Sequence, residues 1–360
     1  MPRRRFPYAC NRYPMTSLQA LLGIELPIVQ APMAGVQGSA LAAAVCNSGA
    51  LGSIPCAMLG AEAIRAELAA LKNRTSAAFN VNFFCHTPPV VSADREATWR
   101  AALLPYYREF GLDTNIVTAG SGRTPFGHEA ADVLNEYRPA VVSFHFGLPP
   151  HDLLTHIRAL GSKIISTATT IEEALWLESQ GVDAIIAQGL EAGGHRGMFL
   201  SNDITTQMGT FALLPQIVSA VRTPVIAAGG IADSKGVAAA MALGAAGVQI
   251  GTAYLLCPEA TTSLIHRAAL KSARARHTAM TNLFTGRPAR GILNRVMKEL
   301  GPMSEAPPAF PLATAAIAPL RREAESRGSD DFSALWSGQN VDGCREVSAA
   351  QLTRELTAKL

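Results

Sequence analysis

At 360 residues, 48% hydrophobic and only 16% charged, the chain can hold one large domain with an appendage or two ordinary domains, and its composition excludes a disordered protein. A formal net charge of +3, with no basic run beyond the first five residues, argues against nucleic acid as a partner. Six scattered cysteines, with no CxxC pair and no Cys/His cluster, argue against a disulfide framework or a metal site and suit a reducing cytoplasm.

Residues 1–15 carry basic side chains but no apolar segment of the signal-peptide kind. They are expected to form a loose extension, with Met15 an alternative start of the folded protein. The charge-free stretch Leu26–Ala61 is interrupted by Pro27, Pro32, Pro55 and several glycines. It therefore reads as two buried strands and a packed helix rather than a membrane span.

Eight short apolar runs follow one another along the chain: Pro27–Pro32, Leu51–Pro55, Phe79–Phe84, Ala140–Phe146, Lys163–Thr167, Ala184–Gln188, Pro224–Ala228 and Gly247–Gly251. Helical stretches alternate with them at Ser39–Asn47, Ala61–Leu71, His151–Leu160, Ile171–Ser179, Phe211–Val221 and Ser234–Leu243. Continuous apolar strands between helices imply parallel pairing covered on both faces. Eight units over about 250 residues point to an α/β fold, a (β/α)8 TIM barrel spanning residues 16–264, with an open doubly wound sheet as the alternative.

The third crossover, Cys85 to Pro139, is longer than a minimal unit. It holds helix candidates at Asp94–Phe110 and His128–Glu136 around the polar TAGSGRTPFG. Beyond Cys257 the strand rhythm stops. Residues 265–345 read as an additional, mainly helical C-terminal subdomain over the barrel mouth, and 346–360 as a closing helix from Ser348.

Catalytic and binding groups of such a barrel lie at the C-terminal strand ends. The loops after the seventh and eighth strands, AAGGI and QIGTAY, are glycine-rich. Either alone fits tight packing as well as ligand binding; together they fit a phosphate site, with Thr252 adding a hydroxyl donor. The amides Gln30, Asn82, Gln188 and Gln249 suit the polar edge of a heteroaromatic ring, which with the phosphate site suggests FMN. His195 stands in the glycine-rich QGLEAGGHRG after the sixth strand and is the expected catalytic residue. The neighbouring Arg196 is read as a group that draws an anionic substrate, with a salt bridge as its plainer role. His86 and His145 are placed at the mouth, whereas His151, His156, His266 and His277 are read as surface groups on helices. No GxSxG, HExxH or Walker sequence is present.

The segments QAPMAGV, FNVNFFCH, VVSFHFGLPP, VDAIIAQGLEAGGHRG, AAGGIADSKGVAAAMALGAAGVQIGTAY, TGRPARGILNR and ALWSGQ resemble class I nitronate monooxygenases, formerly grouped as 2-nitropropane dioxygenases. Ala50 and Ile250 depart from that pattern without removing a functional group. The resemblance implies non-covalent FMN held by Ala31, Pro32, Met33, Asn82, Gln188, Gly193, Gly229 or Gly230, Gln249, Gly251 and Thr252, with His195 as the active-site histidine. His145 and Arg196 are substrate-binding candidates. The implied reaction oxidises alkyl nitronates such as propionate 3-nitronate with O2 to a carbonyl compound and nitrite through a flavin semiquinone. His195 would stabilise the anion or act as base toward a neutral nitroalkane. Gly286–Arg295 and Trp336–Gln339 are expected to close the mouth and supply cations. The alternative on the same barrel is an FMN-dependent NAD(P)H:quinone reductase or enoyl reductase. A cytoplasmic monomer or homodimer with no metal and no membrane partner completes the expectation.

Overall fold

A computed structural model describes residues 17–113 and 123–360. The expected loose extension over residues 1–15 and the first half of TAGSGRTPFG lie outside the described residues.

All eight apolar runs form strands: β1 (Ile28–Gln30), β2 (Gly52–Pro55), β3 (Phe79–Phe84), β4 (Val141–His145), β5 (Lys163–Ala168), β6 (Ala184–Gln188), β7 (Val225–Ala228) and β8 (Gly247–Ile250). Their order in the sheet is β1-β8-β7-β6-β5-β4-β3-β2, with every pairing parallel. Val29 opposite Leu51 joins β1 to β2, with Gln30 N donating to Leu51 O at 2.8 Å. The sheet is thus a closed barrel, and the open alternative is excluded.

Strand residues such as Val29, Ile165, Ile186 and Ile226 fill the barrel interior, while Ile28, Ile164, Ile185 and Val225 face the helices. Burial on both faces is why these strands read as unbroken apolar runs rather than alternating ones. Helix α1 (Leu18–Leu22) inserts Leu18 and Leu22 into the interior cluster and so plugs one end of the barrel.

The outer helices are α2 (Ser39–Cys46), α3 (Ala61–Lys72), α5 (His128–Tyr137), α6 (His151–Ala159), α7 (Ile171–Ser179), α8 (Thr210–Ala220) and α9 (Ser234–Ala242). Helix α4 (Ala93–Phe110) leaves the barrel. It packs on α12 (Ala313–Ser326), with Trp99 Nε1 donating to Ala313 O at 3.0 Å and Tyr107 Oη to Ala316 O at 2.7 Å. Trp99, Leu103, Tyr106, Leu283, Val296, Met297, Leu320 and Phe332 form a second core there. The long third crossover therefore contributes to the cap over the mouth.

That cap also contains α10 (Leu264–Lys271), α11 (Arg295–Glu299) and an antiparallel pair, β9 (Thr278–Thr281) with β10 (Ala289–Ile292). A short strand, Gly194–His195, pairs with β10 and sets His195 opposite Ala289. This small sheet was not anticipated within the mainly helical reading of the segment. β9 and β10 are four residues long and joined by 282–288, a connection without the two-residue turn signal that marks a hairpin in sequence.

Helix α13 (Ala349–Leu356) lies against α2 and α9, with Tyr254 Oη and Thr353 Oγ1 2.9 Å apart. It occupies the eighth outer position, and the cap is the insertion that precedes it. Among the described residues no helix is long and apolar enough to cross a membrane, and no group of three or more His, Cys, Asp or Glu side chains could hold a metal ion.

Candidate active site

A cavity of about 1350 Å3 opens at the C-terminal strand ends beneath the cap. Ala31, Pro32, Met33, Asn82, His145, Gln188, Gly193, His195, Gly229, Gly230, Gln249, Gly251 and Thr252 all border it. One floor, assembled from six strand ends, thus collects the positions singled out from sequence.

His195 projects from the short strand Gly194–His195. Its Nε2 lies 2.9 Å from Thr285 Oγ1, and that hydroxyl also reaches Arg287 O at 3.4 Å. Nδ1 has no hydrogen-bond partner among the described residues, and the imidazole borders the cavity. When Thr285 donates to Arg287 O, Nε2 carries the proton and Nδ1 is an acceptor. When Thr285 donates to Nε2, Nδ1 becomes a donor. Burial first, then the positive charges of Arg123 and Arg287, holds the imidazole well below the usual histidine value, so it is neutral near pH 7.

His145 supports this arrangement. A carbonyl can only accept, so Nε2 of His145 donates to His195 O at 3.2 Å and Nδ1 accepts from Thr167 Oγ1 at 3.1 Å. Burial lowers its pKa to about 3. Gln188 grips the same loop from the other side: Nε2 donates to His195 O at 3.0 Å and Oε1 accepts from Gly197 N at 2.8 Å.

Aromatic walls enclose the imidazole. Phe310 and Trp336 stand 5.4 and 5.5 Å from it, and Phe84 and Phe146 each 6.0 Å. Phe146 adopts φ +69°, a left-handed conformation that costs a bulky residue about 1–3 kcal/mol and recurs at functional sites. The Arg287 guanidinium covers its ring at 3.9 Å.

The glycine loops interlock with the cap. A Cβ at Gly193 would lie 2.5 Å from Gly338 N, so only glycine lets the 337–338 segment approach. Gly338 N donates to Thr252 Oγ1 at 2.9 Å, which leaves the Thr252 proton free to donate into the cavity. Asn340 Nδ2 donates to Gly230 O at 3.0 Å, and Gln339 N to Glu191 O at 2.9 Å. Glu191 in turn caps α8 through Thr210 N and Oγ1. Gln249 Oε1 is buried without a partner.

A model of the nitronate monooxygenase family covers residues 15–359. The chain belongs to that family. It is 43% identical to a nitronate monooxygenase of Pseudomonas aeruginosa over 94% of this chain and 97% of the other, and 41% identical to one of Paraburkholderia phytofirmans over 96% and 94%. A solved nitroalkane oxidase from Streptomyces ansochromogenes superposes with a TM-score of 0.88 at 37% identity, over 96% of this chain and 98% of that one. The protein is therefore an oxidoreductase of the nitronate monooxygenase family.

Within this nitronate monooxygenase fold several residues depart from the sequence reading. Arg196 does not reach the cavity. It is fully buried, and its guanidinium donates to Gln207 Oε1 (3.0 Å), Gly189 O (2.7 Å) and Gln188 O (2.6 Å). Successive side chains of an extended segment point to opposite faces, so placing His195 inward turns Arg196 outward. Arg196→Leu is expected to remove the guanidinium donors of Gln207 Oε1 and Gln188 O at about 1–3 kcal/mol each, Gly189 O keeping Ala192 N, and so to lower the melting temperature with little change in KM. Thermal denaturation beside steady-state kinetics checks this.

Gln30 is also structural. Its carboxamide is taken up by Gln37 (2.6 Å) and by Ser53 N (3.0 Å), tying β1 to β2. His266 is not a surface group: it is 4% exposed and borders the cavity, because it lies on the inward face of α10. Arg290, expected among the mouth cations, is spent on Leu190 O (2.9 Å) and Thr278 Oγ1 (3.1 Å). Thr285 opens the TGRPARGILNR segment but was given no role there, and Phe310 and Arg123 carried no sequence signal, since each comes from a segment whose approach depends on how the cap docks.

Proposed function

We propose that the protein binds FMN at the glycine-lined floor and uses it to oxidise alkyl nitronates such as propionate 3-nitronate, and nitroalkanes, with O2 to carbonyl compounds and nitrite. The observation that carries this reading is His195, whose imidazole has Nδ1 without a partner among the described residues and borders the cavity beside that floor.

The residues present fit the cofactor. The orphaned acceptor Gln249 Oε1 matches an imide N–H, and the free proton of Thr252 matches an anionic oxygen. Gly229 and Gly230 hold φ of +114° and +72°, a backbone that lets main chain rather than side chain meet a phosphate. Ala31, Pro32 and Met33 form the adjoining rim, and Asn82 is fixed by a 2.9 Å bond to Ser143 Oγ. Bound there, FMN supplies electron acceptance and the reaction with O2.

The protein's own groups then set the substrate. Phe84, Phe146, Phe310 and Trp336 exclude water and confine the alkyl portion. His195 accepts a proton at Nδ1 from the carbon of a neutral nitroalkane. Toward a nitronate, already ionised, the other Thr285 orientation presents Nδ1–H to the anionic oxygen.

The test is aerobic turnover of purified protein with propionate 3-nitronate, reading O2 uptake and nitrite together with the absorption spectrum. Nitrite release with a flavin spectrum is expected. Rapid anaerobic bleaching by NADH without nitronate oxidation would favour a reductase instead. Gln249→Leu is expected to weaken FMN retention about 10-fold, from loss of one hydrogen bond in a buried site. Equilibrium dialysis of the cofactor measures it.

A further inference from the structure

Arg123 is a cation at the cavity wall without an anion. Among the described residues no carboxylate pairs with it. Its contacts are the Phe310 ring, 5.5 Å from the guanidinium carbon, and the Met58 sulfur at 4.0 Å from Nη2. The charged neighbour is another cation, Arg321, and burial brings the Arg123 pKa down to about 10. The guanidinium is half-buried, and a cation–π contact worth about 0.5–2 kcal/mol replaces part of its lost hydration. An anion entering the cavity therefore meets a cation that no carboxylate among the described residues has neutralised.

Phe310 relates it to the chemistry. The same ring stands 5.4 Å from His195, so imidazole and guanidinium flank one aromatic wall. Arg123, Met58 and Ala57 also border a second cavity, whose walls include Trp99, Arg100 and Arg322. Arg123 thus stands where that outer space meets the inner one. Arg287, the other cation near His195, donates to Met198 O and covers the face of Phe146, and it borders neither cavity. Arg123 is the guanidinium that lines both, placed to take a bidentate anion.

Resting on the function proposed above, we propose that Arg123 is the specificity-determining residue of this site, pairing with a carboxylate at the far end of a nitronate whose reacting end lies at His195. His195 and Arg123 border the same inner cavity, so a short alkyl chain carrying an oxyanion at each end presents one to each of them.

The experiment compares propionate 3-nitronate with propyl-1-nitronate, which replaces the carboxylate by a methyl group. The readout is the ratio of the two kcat/KM values. In Arg123→Gln this ratio is expected to fall about 30-fold, the scale of removing one partner of a buried charge pair, and Arg123→Lys should recover part of it. A ratio within twofold of the unsubstituted protein, whether both rates drop or neither does, overturns the proposal. A second readout needs no turnover. Butyrate should raise the melting temperature of the purified protein more than butyramide does, and this difference should vanish in Arg123→Gln. An equal response to butyrate in both proteins also overturns the proposal. Inactivity of the unsubstituted protein on both nitronates would sink the functional reading instead, while the butyrate comparison would still decide the role of Arg123.

Discussion

Asparagine at position 195 is expected to lower turnover of neutral nitroalkanes by about 10²–10⁴-fold, the usual contribution of a positioned general base. Asparagine fits the aromatic enclosure and forms hydrogen bonds, but it takes up no proton at neutral pH. Oxidation of nitronates, which need no deprotonation, should therefore fall much less, by about 10-fold at most. FMN content should be unchanged, since His195 contacts Thr285 and faces the substrate side. Parallel kinetics on a nitroalkane and its own nitronate separate the two effects. Equal losses on both would show that His195 acts only through the fold of its loop.

The pH dependence has a definite sign. A general base works while deprotonated and fails as pH falls through its pKa. Burial and neighbouring cations hold His195 well below its ordinary value of 6.5, so the acid limb of nitroalkane turnover should lie below that value. Weakening the surrounding positive charge, as in Arg123→Gln, should shift the limb upward. A limb at or above 6.5 in the unsubstituted protein would contradict a base in this environment.

The second large effect is on stability. Gly286 links Thr285 to Arg287 with φ +86°, and a Cβ there would lie 2.1 Å from Pro308 O. Gly286→Ala meets both a left-handed backbone and a main-chain clash, so it is expected to cost about 3 kcal/mol or more. The strain falls on the two segments that carry Thr285 and Phe310, one on each side of His195. A drop of several degrees in melting temperature, with reduced turnover at temperatures where the chain is still folded, is the expected combination. Calorimetry and kinetics on the same preparation check it.

Much of this arrangement was legible in the amino-acid order because barrel strands are buried on both faces. Runs such as Ala-Ile-Ile-Ala-Gln at 184–188 have no alternation to obscure them, and each ends in the residues that form the floor. His195 was legible for a different reason: its glycine-rich neighbourhood marks close main-chain contact. Arg196 misled because adjacency in sequence was taken as adjacency in the cavity, whereas an extended segment sends consecutive side chains to opposite faces. His266 misled because a short helix gives little indication of which side is covered. Trp336 was placed at the mouth and Thr285 lies in a segment already singled out, but their contacts with His195, and the places of Phe310 and Arg123, were illegible for a deeper reason. They reach His195 from segments far apart along the chain, through the docking of α4, α12 and the β9–β10 pair, which no local pattern encodes.

The placement of α13 carries a consequence for how the molecule is assembled. During synthesis all eight strands emerge well before residue 349, yet the groove between α2 and α9 stays uncovered until that last segment arrives. The nascent ring therefore waits, with an oily seam facing solvent, while the whole lid chain is threaded past it. Helix α13 therefore closes the wall after the cap segment has emerged, and its loss should expose the apolar seam between α2 and α9.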